Sequence, residues 1–319
     1  MNQKPNWKQR LSTGLAESFL LRRGRELHEK NPNDLHLGGN ILHKFLANLY
    51  LILADYGRGR FPPRHTSREA VFASEKMQIA RMEFAPLEEI LDIIMRKPWV
   101  DQRLFGQHLR DLLRMMETLH RNQVRPPAKL LELGCGAGWL SEILALHGYR
   151  VTGTSISELE IGHAQYRIAG LRARKLKCDL EFLVSTMEDI HKAVPHDYDA
   201  AFCYQALHHV FDWRESLTAI DQCLRPGGWL FLFDEPSTVH TFACYRTAQI
   251  NKTHEIGFHG SDIRRHLQKL GYQKVRMQRP VRGEGLKGFF KQFLPFTIEQ
   301  GSVVSRAYWV SAQKPGTAH

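Results

Sequence analysis

The run Lys129–Trp139, KLLELGCGAGW, constrains this chain more than any other stretch. A short apolar segment ends in Glu132 and opens into Gly134, Gly136 and Gly138. Without Cβ atoms the backbone can turn sharply there and bring its N–H groups against a ligand at a helix N-terminus. Leu140, Ile143, Leu144 and Leu146 then recur at helical spacing, and Gly148 stops the run. Strand, glycine loop and helix follow in that order.

Further strands and helices are expected downstream. Tyr149–Ser157 reads as a second strand and Ala164–Arg174 as a crossover helix. Leu180–Val184 and Asp199–Tyr204 read as the third and fourth strands. Asp212, with Glu215 three residues later, starts a helix whose buried face is Leu217, Ile220 and Leu224. LRPGG, residues 224–228, turns into a fifth strand at Trp229–Phe233, and Asp234 and Glu235 end it. Ser261 is placed to cap a helix that stops at Gly271, and Tyr272–Met277 and Ala307–Ala312 are the last expected strands.

The order and company of these motifs carry a resemblance. Glu132 to Gly138, the VTGTSIS stretch, the ALHHV stretch and the LRPGG turn resemble class I S-adenosylmethionine-dependent methyltransferases over residues 128–235. The resemblance implies an α/β fold: a doubly wound, mostly parallel seven-stranded sheet with helices on both faces. It implies S-adenosyl-L-methionine as cofactor, with S-adenosyl-L-homocysteine as product. By the same resemblance, Glu132, Gly134, Cys135, Gly136, Gly138 and Trp139 surround the methionine end, and Ser155 and Ile156 the ribose. Thr186, Met187 and Glu188 meet the adenine, and Tyr204 and Gln205 close the site. Two departures stand out: Ser155 and Thr186 occupy places where the family carries acids, and Glu158 is the nearest carboxylate to the first.

The reaction so implied is methyl transfer to oxygen, nitrogen or carbon of a small-molecule or lipid-like, possibly anionic acceptor. His209 and then His240 are the candidates for removing a proton, because imidazole is suited to base chemistry near neutral pH. His208, His209, Asp234, Glu235 and His240 match no metal-ligand spacing, so no metal is expected. A nucleic-acid (RNA) methyltransferase and a non-catalytic cofactor-binding protein are the competing readings. The first is disfavoured by CYQA after the fourth strand, where a base-methylating enzyme carries an Asn/Asp-Pro-Pro-aromatic motif, and the second rests only on the missing acids.

Residues 1–125 look helical and form a candidate cover for the active site, with a boundary at Pro126 and Pro127 before the domain 126–319. Ile41, Leu42, Phe45, Leu46, Leu49, Ile52 and Leu53 give one buried helix, with Asn40 as its cap, and Leu87, Ile90, Leu91 and Ile94 give another. In a third, capped by Asp101, the stripe is Phe105, Leu109, Leu112, Leu113, Met116 and Leu119.

The net charge of +11 divides as +7 over residues 1–127, −4 over 128–260 and +8 over 261–319. The basic flanks, including the aromatic insertion 280–302 with Arg282, Lys287 and Lys291, suit peripheral contact with an anionic surface. Five cysteines, odd in number and without CxxC spacing, argue against a disulfide framework or a zinc site and fit a reducing cytoplasm. No apolar run approaches the length of a membrane span, and a homo-oligomer is compatible with the composition.

Overall fold

The computed structural model describes residues 5–316 except 33, 35–36, 38–39, 62–66, 77–95, 100–101, 280–295, 300–301 and 306. The expected helix at Leu87–Ile94, the cap Asp101 and the cations Arg282, Lys287 and Lys291 lie outside the described residues.

Seven strands form one sheet: β1 (Lys129–Leu133), β2 (Arg150–Ser155), β3 (Asp179–Val184), β4 (Tyr198–Tyr204), β5 (Leu224–Pro236), β6 (Gln273–Gln278) and β9 (Ala307–Gln313). Their order is β3-β2-β1-β4-β5-β9-β6. The five from β3 to β5 run parallel, and β9 lies antiparallel between β5 and β6. The chain reverses its direction of travel across the sheet between β1 and β4, which opens a crevice at their carboxyl ends. A separate hairpin pairs β7 (Phe296–Glu299), within the basic insertion, with β8 (Ser302–Ser305), at and beyond its end.

Alternation along the strands builds a core on each face of the sheet. Leu130, Phe202, Phe231 and Phe233 are buried on one face and Leu131, Leu133, Ala201, Cys203, Leu230 and Leu232 on the other. The first face is covered by α5 (Gln102–Arg121), α6 (Trp139–Leu146) and α7 (Glu158–Ala173). The second is covered by α9 (Trp213–Cys223), with the short α8 (Ile190–Ala193), and by α12 (Gly260–Lys269).

Several boundaries differ from the sequence reading. Helix α7 begins six residues earlier than expected, because the Ser157 hydroxyl accepts from the Glu160 N–H and caps it there. On α5 the buried stripe is Leu112, Met115 and Leu119, at helical spacing, and Leu113 points to solvent. Ser261 is not a cap: α12 starts at Gly260 and His259 precedes it, without a side-chain cap. LRPGG is absorbed into β5 as an irregularity, Tyr198 pairing with Leu224 and Ala200 with Trp229.

The N-terminal helices are α1 (Trp7–Glu17), α2 (Arg22–Lys30), α3 (Ile41–Gly57) and α4 (Arg68–Lys76). On α3 the buried apolar residues are Ala47, Tyr50, Leu51 and Ala54, with Asp55 buried beside them, while Leu42 and Phe45 are exposed. This layer docks on α10 (Val239–Ala243) and α11 (Tyr245–Asn251): Tyr245 Oη donates to Asp55 Oδ2 at 3.0 Å. The Arg246 guanidinium donates to the Asn31 and Asp34 carbonyls. All five cysteines are free. Among the described residues no helix is long and apolar enough to cross a membrane.

Candidate functional site

A cavity of about 320 Å3 lies at the crevice. Thirteen of the fifteen residues singled out in the sequence line it: Glu132, Gly134, Cys135, Gly136, Trp139, Ser155, Ile156, Thr186, Met187, Glu188, Tyr204, Gln205 and His209. Gly138 and His240 do not.

The three glycines serve different ends. All have positive φ, which L side chains rarely adopt. A Cβ on Gly134 would overlap Ala206, and one on Gly138 would overlap the Phe182 ring, so both are needed for packing. A Cβ on Gly136 would meet only Glu160 Oε1, at 3.7 Å, so this glycine leaves its space to the cavity. Behind the loop, Glu132 is buried and accepts a hydrogen bond from Ser141 Oγ, and burial pushes its pKa up to about 7.

At the end of β2 the missing acid returns one helical turn later. Ser155 Oγ donates to Glu160 Oε2 at 2.5 Å, and the Glu160 carboxyl, raised by burial, faces the cavity. The carboxylate suggested by proximity in sequence, Glu158, is exposed and does not line it. Glu188 Oε1 accepts from the Phe211 and Asp212 N–H groups at 3.0 and 3.3 Å, and Thr186 Oγ1 accepts from the Asp189 N–H. Both therefore shape the loops around the cavity.

The β4 end is held by a fully buried acid. Glu235 Oε1 accepts from the Ala206 and Leu207 N–H groups at 2.9 and 3.0 Å, and its Oε2 lies 3.0 Å from His208 Nδ1. Asp234 accepts from the Gln205 amide. Neither acid lines the cavity, and both fix the turn that carries His209.

Four lining residues come from the first 125 residues: Phe72, Glu75, Lys97 and His108. Glu75 Oε2 lies 3.3 Å from His209 Nδ1, and Glu75 Oε1 accepts from the His254 N–H at 2.9 Å. Burial opposes a charge on His209, but Glu75 and Glu255 outweigh it and push the pKa up to about 10. On α5, His108 Nδ1 lies 3.2 Å from Tyr204 Oη, which donates to Asp111 Oδ2 at 3.2 Å. His240 lies outside, its Nε2 2.7 Å from Glu255 Oε2.

A family model described as "Methyltransferase domain" matches residues 131–232, the stretch from β1 into β5 that builds this cavity. Residues 131–232 thus form a methyltransferase domain. Among its relatives, the ubiquinone biosynthesis O-methyltransferase of Vibrio atlanticus (strain LGP32) is 28% identical over 203 residues, 63% of this chain and 83% of that protein. The enzyme of the same name from Pseudomonas savastanoi pv. phaseolicola is 31% identical over 151 residues, 47% of this chain and 53% of that protein. The chain thus spans most of the first relative and about half of the second. Magnesium protoporphyrin IX methyltransferase (ChlM) from Synechocystis PCC 6803, solved with bound SAH, shares the fold at a TM-score of 0.53 and 17% identity, covering 75% of this chain and 99% of that one.

The cavity's own chemistry fits the cofactor of this family. Gly136 leaves room for close approach, Ser155 and Glu160 offer a polar pair suited to a ribose diol, and Ile156 and Met187 offer apolar surface suited to a base. The buried Glu132 is placed to support the loop from behind.

Proposed function

We propose that this methyltransferase transfers a methyl group from S-adenosylmethionine to a hydroxyl oxygen of a small-molecule or lipid-like acceptor. When bound, the cofactor supplies an activated methyl group on a sulfonium, so the protein has to orient the acceptor and take its proton. Gly136, Ser155, Glu160, Ile156 and Met187 are the residues assigned to holding the cofactor. The observation that carries the assignment of oxygen chemistry is the pair Glu75 and His209 on the cavity wall. In its neutral form His209 can take the hydroxyl proton, leaving an imidazolium that the carboxylate at Nδ1 stabilises and orients. Because Glu75 and Glu255 push its pKa up to about 10, that neutral form, and turnover with it, is expected to grow as pH rises above neutral. The relatives' printed names point to the same acceptor atom.

Phe72, Lys97 and His108 line the cavity from the N-terminal region, which supports reading that region as a cover that excludes water. His209→Gln is expected to lower turnover roughly 10²–10⁴-fold while cofactor affinity stays within a few-fold. Unchanged turnover removes His209 from the chemistry.

We also infer peripheral contact with an anionic surface. Trp7, Leu11 and Leu15 are exposed at four-residue spacing along α1, followed by exposed Phe19 and Leu20, with Lys8, Arg10, Arg22, Arg23 and Arg25 close by in sequence. Binding to anionic vesicles that weakens with salt supports it, and absence of binding at low salt refutes it.

A further inference from the structure

Behind the cavity wall, three side chains from separate pieces of the chain turn their donor atoms toward one point. His208 lies on the turn after β4, His240 on α10, and Glu255 in the segment leading to α12. Their ligand atoms, one from each residue, all lie within 4.8 Å of one another. His240 Nε2 is 2.7 Å and His208 Nε2 3.8 Å from Glu255 Oε2. The methyl-transfer reading gives none of the three contact with the acceptor, although Glu255 helps to raise the pKa of His209.

The far nitrogen of each ring is also engaged. His208 Nδ1 lies 3.0 Å from the buried Glu235 Oε2, and His240 Nδ1 lies 3.3 Å from Cys244 Sγ. A carboxylate on Nδ1 selects the tautomer whose Nε2 presents a lone pair, which is how metal-binding histidines are oriented. Here that lone pair faces His240 and Glu255.

We propose that His208, His240 and Glu255 bind a divalent transition ion of the zinc class. Two imidazoles and one carboxylate suit zinc, cobalt or nickel, whereas magnesium and calcium prefer all-oxygen shells. Three protein ligands leave a position for water or another oxygen. The ion lies next to the methyl-transfer site, because the His208 and His209 rings are 4.1 Å apart. It joins α10 and the Glu255 segment to the β4 turn, and the neighbouring His254 N–H is the group that holds Glu75. No sequence signature announces the site, because its ligands come from three separate segments. The proposal stands whether or not the acceptor atom is oxygen.

The test uses the full-length protein, stripped with EDTA and titrated with Co2+ and Zn2+. The expected result is one bound equivalent, a visible Co2+ absorption band that Zn2+ displaces, and a Tm rise on the order of 5 °C at saturating Zn2+. His240→Ala and Glu255→Gln should each weaken binding by roughly a hundredfold, while His120→Ala, at an exposed histidine on α5, leaves it unchanged. Glu255→Gln keeps a hydrogen-bond acceptor for His240 but loses the anionic ligand, and it carries the test if His240→Ala does not fold. Absence of both the Co2+ band and the Tm shift, or binding that survives both substitutions, overturns the proposal and leaves a His-Glu-His hydrogen-bond chain.

Discussion

Glu75 Oε2 stands 3.3 Å from His209 Nδ1, joining α4 of the N-terminal layer to the turn after β4. The methyltransferase core supplies the histidine, and the region without a recognisable motif supplies its partner. Glu75 is itself fixed by the His254 N–H, so three segments meet at this contact.

That arrangement makes Glu75 a positioning residue. Glu75→Gln should lower turnover roughly 10–100-fold, with cofactor affinity and the acceptor KM little changed, because the ring loses its orienting charge while the cavity keeps its shape. Steady-state kinetics with calorimetry checks this. A loss confined to KM would place Glu75 in acceptor binding alone.

At the glycine loop, Gly136→Val should abolish cofactor binding, since a branched side chain would fill the space that Gly136 leaves open. The positive φ also strains the variant by ~1–2 kcal/mol, so a modest fall in Tm accompanies the loss. Binding as tight as the parent's would move the cofactor elsewhere.

For the ribose, the neutral hydroxyl and the carboxylate should contribute unequally. Ser155→Ala should weaken cofactor binding less than about tenfold, the scale of a neutral hydrogen bond, whereas Glu160→Gln should weaken it by roughly 10–100-fold. The reverse order would show that Ser155 is the main contact and that Glu160 only orients it.

Glu132 gives a pH signature to the cofactor-free protein. Its folded pKa, near 7, lies above the ordinary 4.5, so the folded state holds this proton more tightly than the unfolded chain. The stability it contributes is fully present below 4.5 and is lost as pH rises through 7. The cost by pH 8 is on the order of 3 kcal/mol. Glu132→Gln should remove that slope, so its Tm advantage over the parent grows between pH 5 and pH 8. Parallel Tm curves would contradict it.

The centre of the sheet was legible because β1, β4 and the middle of β5 are short apolar runs, and because Gly134, Gly136 and Gly138 mark the loop. The cavity residues on β1, β2 and β4 follow from their places beside that loop. Glu160 was missed because the helix was started too late, although Ser157 stands at the proper distance to cap it. Glu75 and His108 could not be found locally. Each lies on a helix with no chemical pattern, and only tertiary docking brings it to His209 or Tyr204. Gly138 looked like a ligand contact, but it serves the Phe182 ring.

His209 and Gly136 bound the cavity in which methyl transfer to oxygen takes place in this reading. That transfer is tested most directly by incubating the protein with methyl-labelled S-adenosylmethionine and fractionated cell extract, then identifying the labelled product by mass spectrometry and NMR. The expected product is a labelled methyl ether on a small-molecule or lipid-like acceptor, lost with His209→Gln. Label appearing in nucleic acid or on nitrogen, or an ether that forms equally well without His209, would contradict it.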